Sequence, residues 1–357
     1  MKIYVYAICK NESAYVDRFM DSTTDADGVY VLDTGSTDDS VEKLIGRGAV
    51  VCRKSVKPWR FDVARNMSLE LVPDDADLCI ALDLDEVLEK EWRSKLENNY
   101  VPKCKQVKYR YIWSHDVSGR DGHVFWADKI HVRKGFVWVN AVHEVLKYCG
   151  DDYSYQYVDF RIDHYPDEKK SRAGYLPLLE LSVKEDPNND RNMHYLAREY
   201  MFYGRYAEAI DVFCRHLEMP TARWSDERSA SMRFAGLCFF RMGDVMNAKK
   251  WYFKAIAEAP YLREPYVYLA ELYFGQSEFV GALFMCERAL EIKERSLSYI
   301  NEPLVYGELP YDLASLSCFY LGLYDKAEYY VDKAIEINPQ DERLLKNKRL
   351  IADKKTN

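Results

Sequence analysis

A chain of 357 residues exceeds a typical single domain, and two domains are expected. Its 48% hydrophobic and 30% charged residues are ordinary for a globular protein, and a net charge of −8 argues against a nucleic-acid binder relying on a broad basic surface. Nine cysteines without a CxxC pair suggest neither a zinc ribbon nor a disulfide framework; they fit a reducing compartment, so a cytoplasmic location is expected.

The N-terminal MKIYVYAICKNE reaches charge too soon to supply a signal peptide's apolar core. No run approaches the ~18 apolar residues of a membrane span, so no span is expected. Residues 2–9, β-branched and aromatic, predict a first strand with Lys10, Asn11 and Glu12 at its carboxyl end. A helix is expected from Ser13, with Tyr15, Val16 and Phe19 on one face. Gly28–Asp33 is the next strand, and the Gly-, Ser-, Thr- and Asp-rich turn 34–39 opens into a helix at Ser40. A short strand at 49–52 and a helix at 61–71 follow.

Residues 78–86 then read as one buried strand whose end carries Asp83, Asp85 and Glu86. Unpaired buried charge costs several kcal/mol, and ligands of open α/β sheets bind outside the carboxyl ends of strands. Hard carboxylate oxygens suit Mg²⁺ or Mn²⁺, with substrate phosphates completing the shell. Asp83 and Asp85 leave opposite faces of a regular strand, so both meet one cation only if the chain turns there. A strand end leading into an acid-rich helix start is the plainer alternative. Alternating strands and helices with polar strand ends describe a mostly parallel, Rossmann-like sheet, and neither a GxGxxG nor a P-loop sequence is present.

Four stretches then act together: Ile8-Cys9-Lys10-Asn11-Glu12, Val31-Leu32-Asp33-Thr34-Gly35-Ser36-Thr37-Asp38, Phe61-Asp62-Val63-Ala64-Arg65-Asn66 and Leu82-Asp83-Leu84-Asp85-Glu86. In this order they resemble the family 2 glycosyltransferases of GT-A fold. The resemblance continues through Val142-His143-Glu144 to Asp163-His164-Tyr165, nearly half the chain. It implies a nucleotide-sugar donor, a UDP-sugar by preference, bound by Lys10, Asn11, Glu12, Asp33, Arg65 and Asp83. It implies Mn²⁺ or Mg²⁺ on the Asp83/Asp85 pair, with Asp85 the direct ligand. The cation would steady the departing diphosphate in an inverting single displacement. Without the resemblance, Asp33 reads as an Asx-turn and Arg65 as a surface partner of Asp62 or Glu70.

From 101 to 163 the pattern is strand-rich, with strands expected at 107–113, 123–126, 129–133, 137–139 and 153–162. Trp113, Trp126 and Trp138 are core residues first, though such rings also wall sugar sites; Trp126 is retained as a substrate-binding candidate. His143 is expected to complete the metal shell and Glu144 to act as general base, the alternative being a core histidine bonded to Glu144. Asp128 and Asp116 are rival bases.

From Asp190 the sequence repeats. Ala248 and Ala282, and likewise Ala255 and Ala289, stand 34 residues apart, the tetratricopeptide period. Insertions at 223–227 and 295–306 displace the neighbouring units, and 341–355 suit a capping helix. Aromatics filling the gaps between helices account for much of the 29 tyrosines. The expected organisation is thus a GT-A-type domain at 1–168, a connecting helix at 169–189 and an all-α tetratricopeptide-repeat solenoid at 190–357. The acceptor would be a peptide, protein or glycan, and the repeats also suit self-association as a homo-oligomer. The competing function is a repeat-based interaction protein with a catalytically silent nucleotide-binding domain.

Overall fold

The computed structural model describes residues 1–116, 119–166 and 174–356. The chain divides into two compact units: Met1–Glu185 with Leu297–Tyr299, and Asp186–Ser296 with Ile300–Asn357. The boundary expected at 166–171 lies almost wholly outside the described residues. Among the described residues no helix is long and apolar enough to cross a membrane.

The first unit runs β1 (Ile3–Cys9), α1 (Val16–Ser22), β2 (Gly28–Asp33), α2 (Ser40–Gly46), β3 (Val50–Arg53), α3 (Phe61–Glu70), β4 (Leu78–Ala81), β5 (Glu86–Leu88) and α4 (Trp92–Asn99). It continues with β6 (Gln106–Ile112), β7 (Val124–His131), β8 (Phe136–Val139), β9 (Val145–Tyr148), β10 (Tyr155–His164) and α5 (Tyr175–Glu185). Eight strands form one sheet in the order β3-β2-β1-β4-β7-β6-β10-β5, and β8 pairs with β9.

The sheet is mixed, which corrects the mostly parallel expectation. β3, β2, β1 and β4 form a parallel block, but β7 is antiparallel to both β4 and β6, and β5 is antiparallel to β10. The cause lies in the connections. Strand–helix alternation supplies the crossovers that parallel pairs need, and it breaks off at β4, which β5 follows directly; beyond α4 strands succeed one another without helices. The two strands expected at 123–126 and 129–133 are one. Val107 faces Ile130 but Tyr109 faces Ala127, so β7 carries an extra residue at Asp128-Lys129. Such a bulge breaks the alternation that sequence reading relies on and re-aims the side chains around it.

Val5, Ala7, Phe19, Ile80, Leu96, Trp92, Val107 and Phe160 bury the main core of this unit. On the other face Tyr6, Cys79, Ala81 and Trp138 bury a polar chain among them. Trp138 Nε1 donates to Tyr6 Oη at 2.9 Å, and Tyr6 Oη meets His131 Nε2 at 2.8 Å. His131 Nδ1 lies 2.8 Å from the Val132 carbonyl, so Nδ1 carries the proton and Nε2 accepts from Tyr6. Burial pulls His131 down to about 4, with Arg133 adding to the effect and the Val132 carbonyl opposing it.

A pH dependence follows. The folded pKa lies below the unfolded value near 6.5, so this contribution is complete above pH 6.5 and is lost as pH falls toward 4. At pH 4.5 the loss should be about 2.5 kcal/mol, from 1.36 kcal/mol per pKa unit. Urea midpoints at pH 7 and pH 4.5 measure it, and His131→Gln should lose correspondingly less on acidification. An equal acid loss in the variant would refute the assignment.

The second unit is helical. Its pairs are α6 (Asp190–Phe202) with α7 (Tyr206–Glu218), α8 (Ser225–Arg241) with α9 (Val245–Glu258), and α10 (Glu264–Gly275) with α11 (Phe279–Glu291). After the short α12 (Pro303–Tyr306) come α13 (Leu309–Tyr320) with α14 (Tyr324–Ile337), and the terminal α15 (Glu342–Thr356). Ala248, Ala255, Ala282, Ala289, Ala327 and Ala334 are all fully buried, which is why the repeat demands small residues there. Gly236 shows the same crowding, since a Cβ on it would sit 2.6 Å from the Tyr252 ring.

Candidate functional site

The parallel block sends the carboxyl ends of β2, β1 and β4 to one edge of the sheet, and the candidate residues fall there. Cys9 and Asp33, the last residues of β1 and β2, are register partners. Asp33 is buried and accepts from the Ser36 N–H at 3.0 Å, the Asx-type turn that its sequence allows. Asn11, with φ +56°, accepts from the Thr37 N–H at 2.7 Å and donates its own N–H to Ser36 Oγ at 2.9 Å. The Glu12 N–H donates to Ser40 Oγ at 2.8 Å. Asn11, Glu12 and Asp33 are therefore braced as one double loop, with Asn11 and the neighbouring Lys10 exposed.

β4 ends at Ala81, and the chain turns at 82–85 instead of continuing as strand. The Asp83 N–H donates to Glu86 Oε2 and the Glu86 N–H to the Asp83 carbonyl, each at 2.9 Å, so the turn is closed from both sides. Glu86, fully buried at the start of β5, also accepts from Tyr111 Oη at 2.6 Å and Lys129 Nζ at 2.5 Å. Burial and the Asp83 charge raise its pKa against the pull of Lys129.

Asp83 lies between two cations. Arg65 from α3 reaches Oδ1 at 2.5 Å, and Lys129 reaches Oδ2 at 3.4 Å. Against burial, these two charges hold its carboxyl well below the usual carboxylate range. Arg65 is 4% exposed, lies over the Trp138 ring, and also donates Nε to Glu144 Oε1 at 3.0 Å. Asp62 pairs with Arg60 instead, so the surface pairing considered for Arg65 does not form. Asn66 fixes α3 against β8 by exchanging two hydrogen bonds with the Trp138 backbone at 2.8 and 2.9 Å.

Asp85 faces another way. Its backbone carbonyl accepts from the Tyr165 N–H, and its Oδ2 lies 3.5 Å from His164 Nε2. His164 Nδ1 is 3.0 Å from the Trp113 carbonyl, which requires a proton on Nδ1 and leaves Nε2 as the nitrogen that faces Asp85. The ring packs 4.6 Å from that of Trp113. Burial opposes protonation of His164, yet Asp85 and the Trp113 carbonyl together raise its pKa above the ordinary value. A carboxylate oxygen and the Nε2 of a neutral imidazole are both donors to a divalent cation, so this pair could supply two of its ligands.

The other candidates have partners of their own. His143 has φ +50°, and its described ring contact is Tyr175 at 5.7 Å, while neighbouring Glu144 turns to Arg65. Asp128 is exposed at the bulge of β7, where its carbonyl accepts from Gln106 Nε2. Trp126 is half-buried and edge-on to Tyr157 at 4.8 Å. Asp116 binds the Arg120 guanidinium at 2.7 Å. Residues without an assigned role in the sequence reading now stand out: Glu86, Lys129, Tyr111 and His164. Three of these lie in stretches already marked as strand, and only long-range pairing reveals their partners.

Groupings of three potential metal ligands among the described residues are His115/Asp121/Asp163 and Asp190/His216/Glu227. In the first, Arg161 already bonds both aspartates.

No family model matches this chain, and no curated protein matches it significantly. Its structural neighbours are tetratricopeptide-repeat proteins. They include the MamA protein (21% identity, 48% of this chain and 85% of that one, TM-score 0.37). PilF of Pseudomonas aeruginosa is similar at 16% identity, over 50% of this chain and 72% of that one, with a TM-score of 0.38. A tetratricopeptide repeat protein from Parabacteroides merdae is similar at 16% identity, over 50% and 65%, also at 0.38. At such identities the likeness concerns fold alone.

Proposed function

We propose that the chain is a metal-dependent glycosyltransferase acting on a nucleotide-sugar, a UDP-sugar by preference, with a peptide, protein or glycan acceptor. The observation that carries this reading is the single edge where β2, β1 and β4 end. Asp33 and Asn11 stand there beside a turn whose Asp85 faces His164, a ring anchored through Nδ1 on the Trp113 carbonyl.

In this reading Asp33 and the Asn11–Ser36 brace hold the nucleoside. Asp85 and His164 would hold Mn²⁺ or Mg²⁺, which supplies positive charge against the leaving diphosphate when bound. Asp83 and Glu144 are positioning residues: both are held by Arg65, which keeps the turn in shape. During transfer the bond from the anomeric carbon to the diphosphate breaks and a bond to the acceptor oxygen forms. The acceptor proton passes to a carboxylate base. Asp128, exposed beside the Lys129 that reaches Asp83 and Glu86, takes that role, while Glu144 is occupied by Arg65.

A panel of nucleotide-sugars in thermal shift, with and without Mn²⁺, tests this. A donor at a hundred times its Kd adds about 2.7 kcal/mol and should raise Tm by several degrees, only when Mn²⁺ is present. If no nucleotide-sugar shifts Tm in either condition, the transferase reading fails. The second reading, a repeat-based interaction protein with a silent nucleotide-binding domain, is favoured by the pairing of Asp83 with two cations. Donor hydrolysis without acceptor separates the two, since a silent domain gives none.

A further inference from the structure

His216 breaks the pattern of the repeats. Aligning Gly204 with Gly243 and Gly322, and Ala209 with Ala248 and Ala327, sets His216 where the second and fourth helix pairs carry Ala255 and Ala334. Ala289 holds the same place in the third pair, and all three alanines are fully buried. An imidazole where the packing elsewhere takes a methyl group is costly unless its nitrogens are matched. The helix that follows departs from the pattern too. α8 has 17 residues, against 12 or 13 in α6, α10 and α13. With Gly236 aligned on Ala197 and Ala270, the extra residues all fall at its N-terminal end, which carries Glu227.

The two departures meet. His216, fully buried in the last turn of α7, places Nε2 3.3 Å from Oε1 of the buried Glu227. Asp190, the first residue of α6, adds a second carboxylate, and one ligand atom from each of the three lies within 4.8 Å of the others. Asp190 is half-buried, and among the described residues its carboxylate enters no hydrogen bond or ion pair. The imidazole is held from behind as well. Ser231 Oγ lies 3.0 Å from His216 Nδ1 and 2.7 Å from His194 Nδ1. A hydroxyl has one proton, so Ser231 donates to one ring and accepts from the other. If it donates to His216, that ring's Nε2–H closes onto Glu227. If it accepts from His216, Nε2 presents a lone pair beside two carboxylates, which is how a ligating histidine is held. The chain ends at His194 Nε2, buried with no partner among the described residues, a cost that packing alone does not offset.

We propose that Asp190, His216 and Glu227 form a Zn²⁺ site, with water in the fourth position, that clamps α6 and α7 to α8. Ligand atoms about 2.0 Å from a tetrahedral Zn²⁺ stand about 3.3 Å from one another, and His216 Nε2 and Glu227 Oε1 already have that separation. Asp190, on the solvent side, is the third ligand and the path of entry. An imidazole between two carboxylates selects a first-row ion over Mg²⁺ or Ca²⁺, which take oxygen ligands. The site lies wholly in the second unit, at the junction of the first two helix pairs, and is independent of sugar transfer.

The test uses the full-length protein carrying Asp85→Asn, which removes the cation proposed for the first unit. After treatment with a chelator, titration calorimetry with Zn²⁺ alone should find one site per chain. Loss of a group that only orients a metal ligand costs about 10–100-fold in affinity, so Ser231→Ala should fall in that range. His216→Ala should weaken binding by more than about 100-fold, and since alanine is the residue of the other repeats the variant should fold. Asp190→Asn, at a half-exposed helix start, should also lose the site and keeps the test decisive if His216→Ala does not fold. Co²⁺ in place of Zn²⁺ should give visible bands without thiolate charge transfer, the nine free cysteines being the competing ligands. No Zn²⁺ bound by the parent would overturn the proposal. So would undiminished binding by His216→Ala or Asp190→Asn, or a thiolate band with Co²⁺, which would put the ion on cysteine.

Discussion

Arg65→Met should destabilise the first unit by about 3 kcal/mol at neutral pH. Removing one partner of a buried ion pair leaves the other charge uncompensated, at about 3–5 kcal/mol. Here Arg65 serves two carboxylates, Asp83 and Glu144. The lower end of the range applies because the Asp83 side chain is 36% exposed and Lys129 remains near it. The pH dependence has a definite sign. Arg65 and Lys129 hold Asp83 below its unfolded pKa, so their stabilisation is present above that pKa and is lost only as pH falls below it, through the depressed folded value. The gap between variant and parent should therefore be widest at pH 7 and narrow in acid. Chemical denaturation of both proteins at pH 7 and at the lowest pH at which the parent stays folded reads it. A double-mutant cycle with Asp83→Asn should give a coupling of about 1 kcal/mol or more. A variant within about 0.5 kcal/mol of the parent at pH 7, the range of ordinary surface substitutions, would show that Arg65 does not hold the turn.

How much of this was legible in the sequence depends on the range of the interaction. β1, β2 and α3 lie where periodicity puts them, because strand alternation and helical faces are local patterns. The helical repeats are legible for the same reason, the small residues recurring at a fixed spacing. The turn at 82–85 is not. The apolar run reads straight through it, and what closes it is Glu86 accepting from the Asp83 N–H. Lys129 lies 43 residues from Glu86 and 46 from Asp83, so no local pattern joins them, and the bulge that re-aims it hides the strand's own alternation. His164 stands within a stretch already marked by resemblance, yet its pairing with Asp85 depends on β10 folding back beside β5. The sheet beyond α4 was misjudged because helices cease to separate the strands there.

Asp85→Asn should leave the protein folded and reduce Mn²⁺-dependent transfer by more than about 10²-fold. Even groups that only support a metal ligand are worth 10–100-fold, and Asp85 would be a ligand itself. Stability should hardly change, because among the described side chains its carboxylate pairs with His164 alone, at 3.5 Å. His164→Ala should reproduce the loss of Mn²⁺ dependence. Asp83→Asn should behave in the opposite way, losing stability through Arg65 and Lys129 while the residual activity still responds to Mn²⁺. His143→Ala, whose ring lies against Tyr175, should leave the Mn²⁺ response intact. Initial rates across a Mn²⁺ titration, with melting curves for each variant, distinguish these outcomes. Near-parental transfer by Asp85→Asn would remove the cation from this turn. A lost Mn²⁺ response in His143→Ala but not in His164→Ala would move the second ligand to the loop after β8.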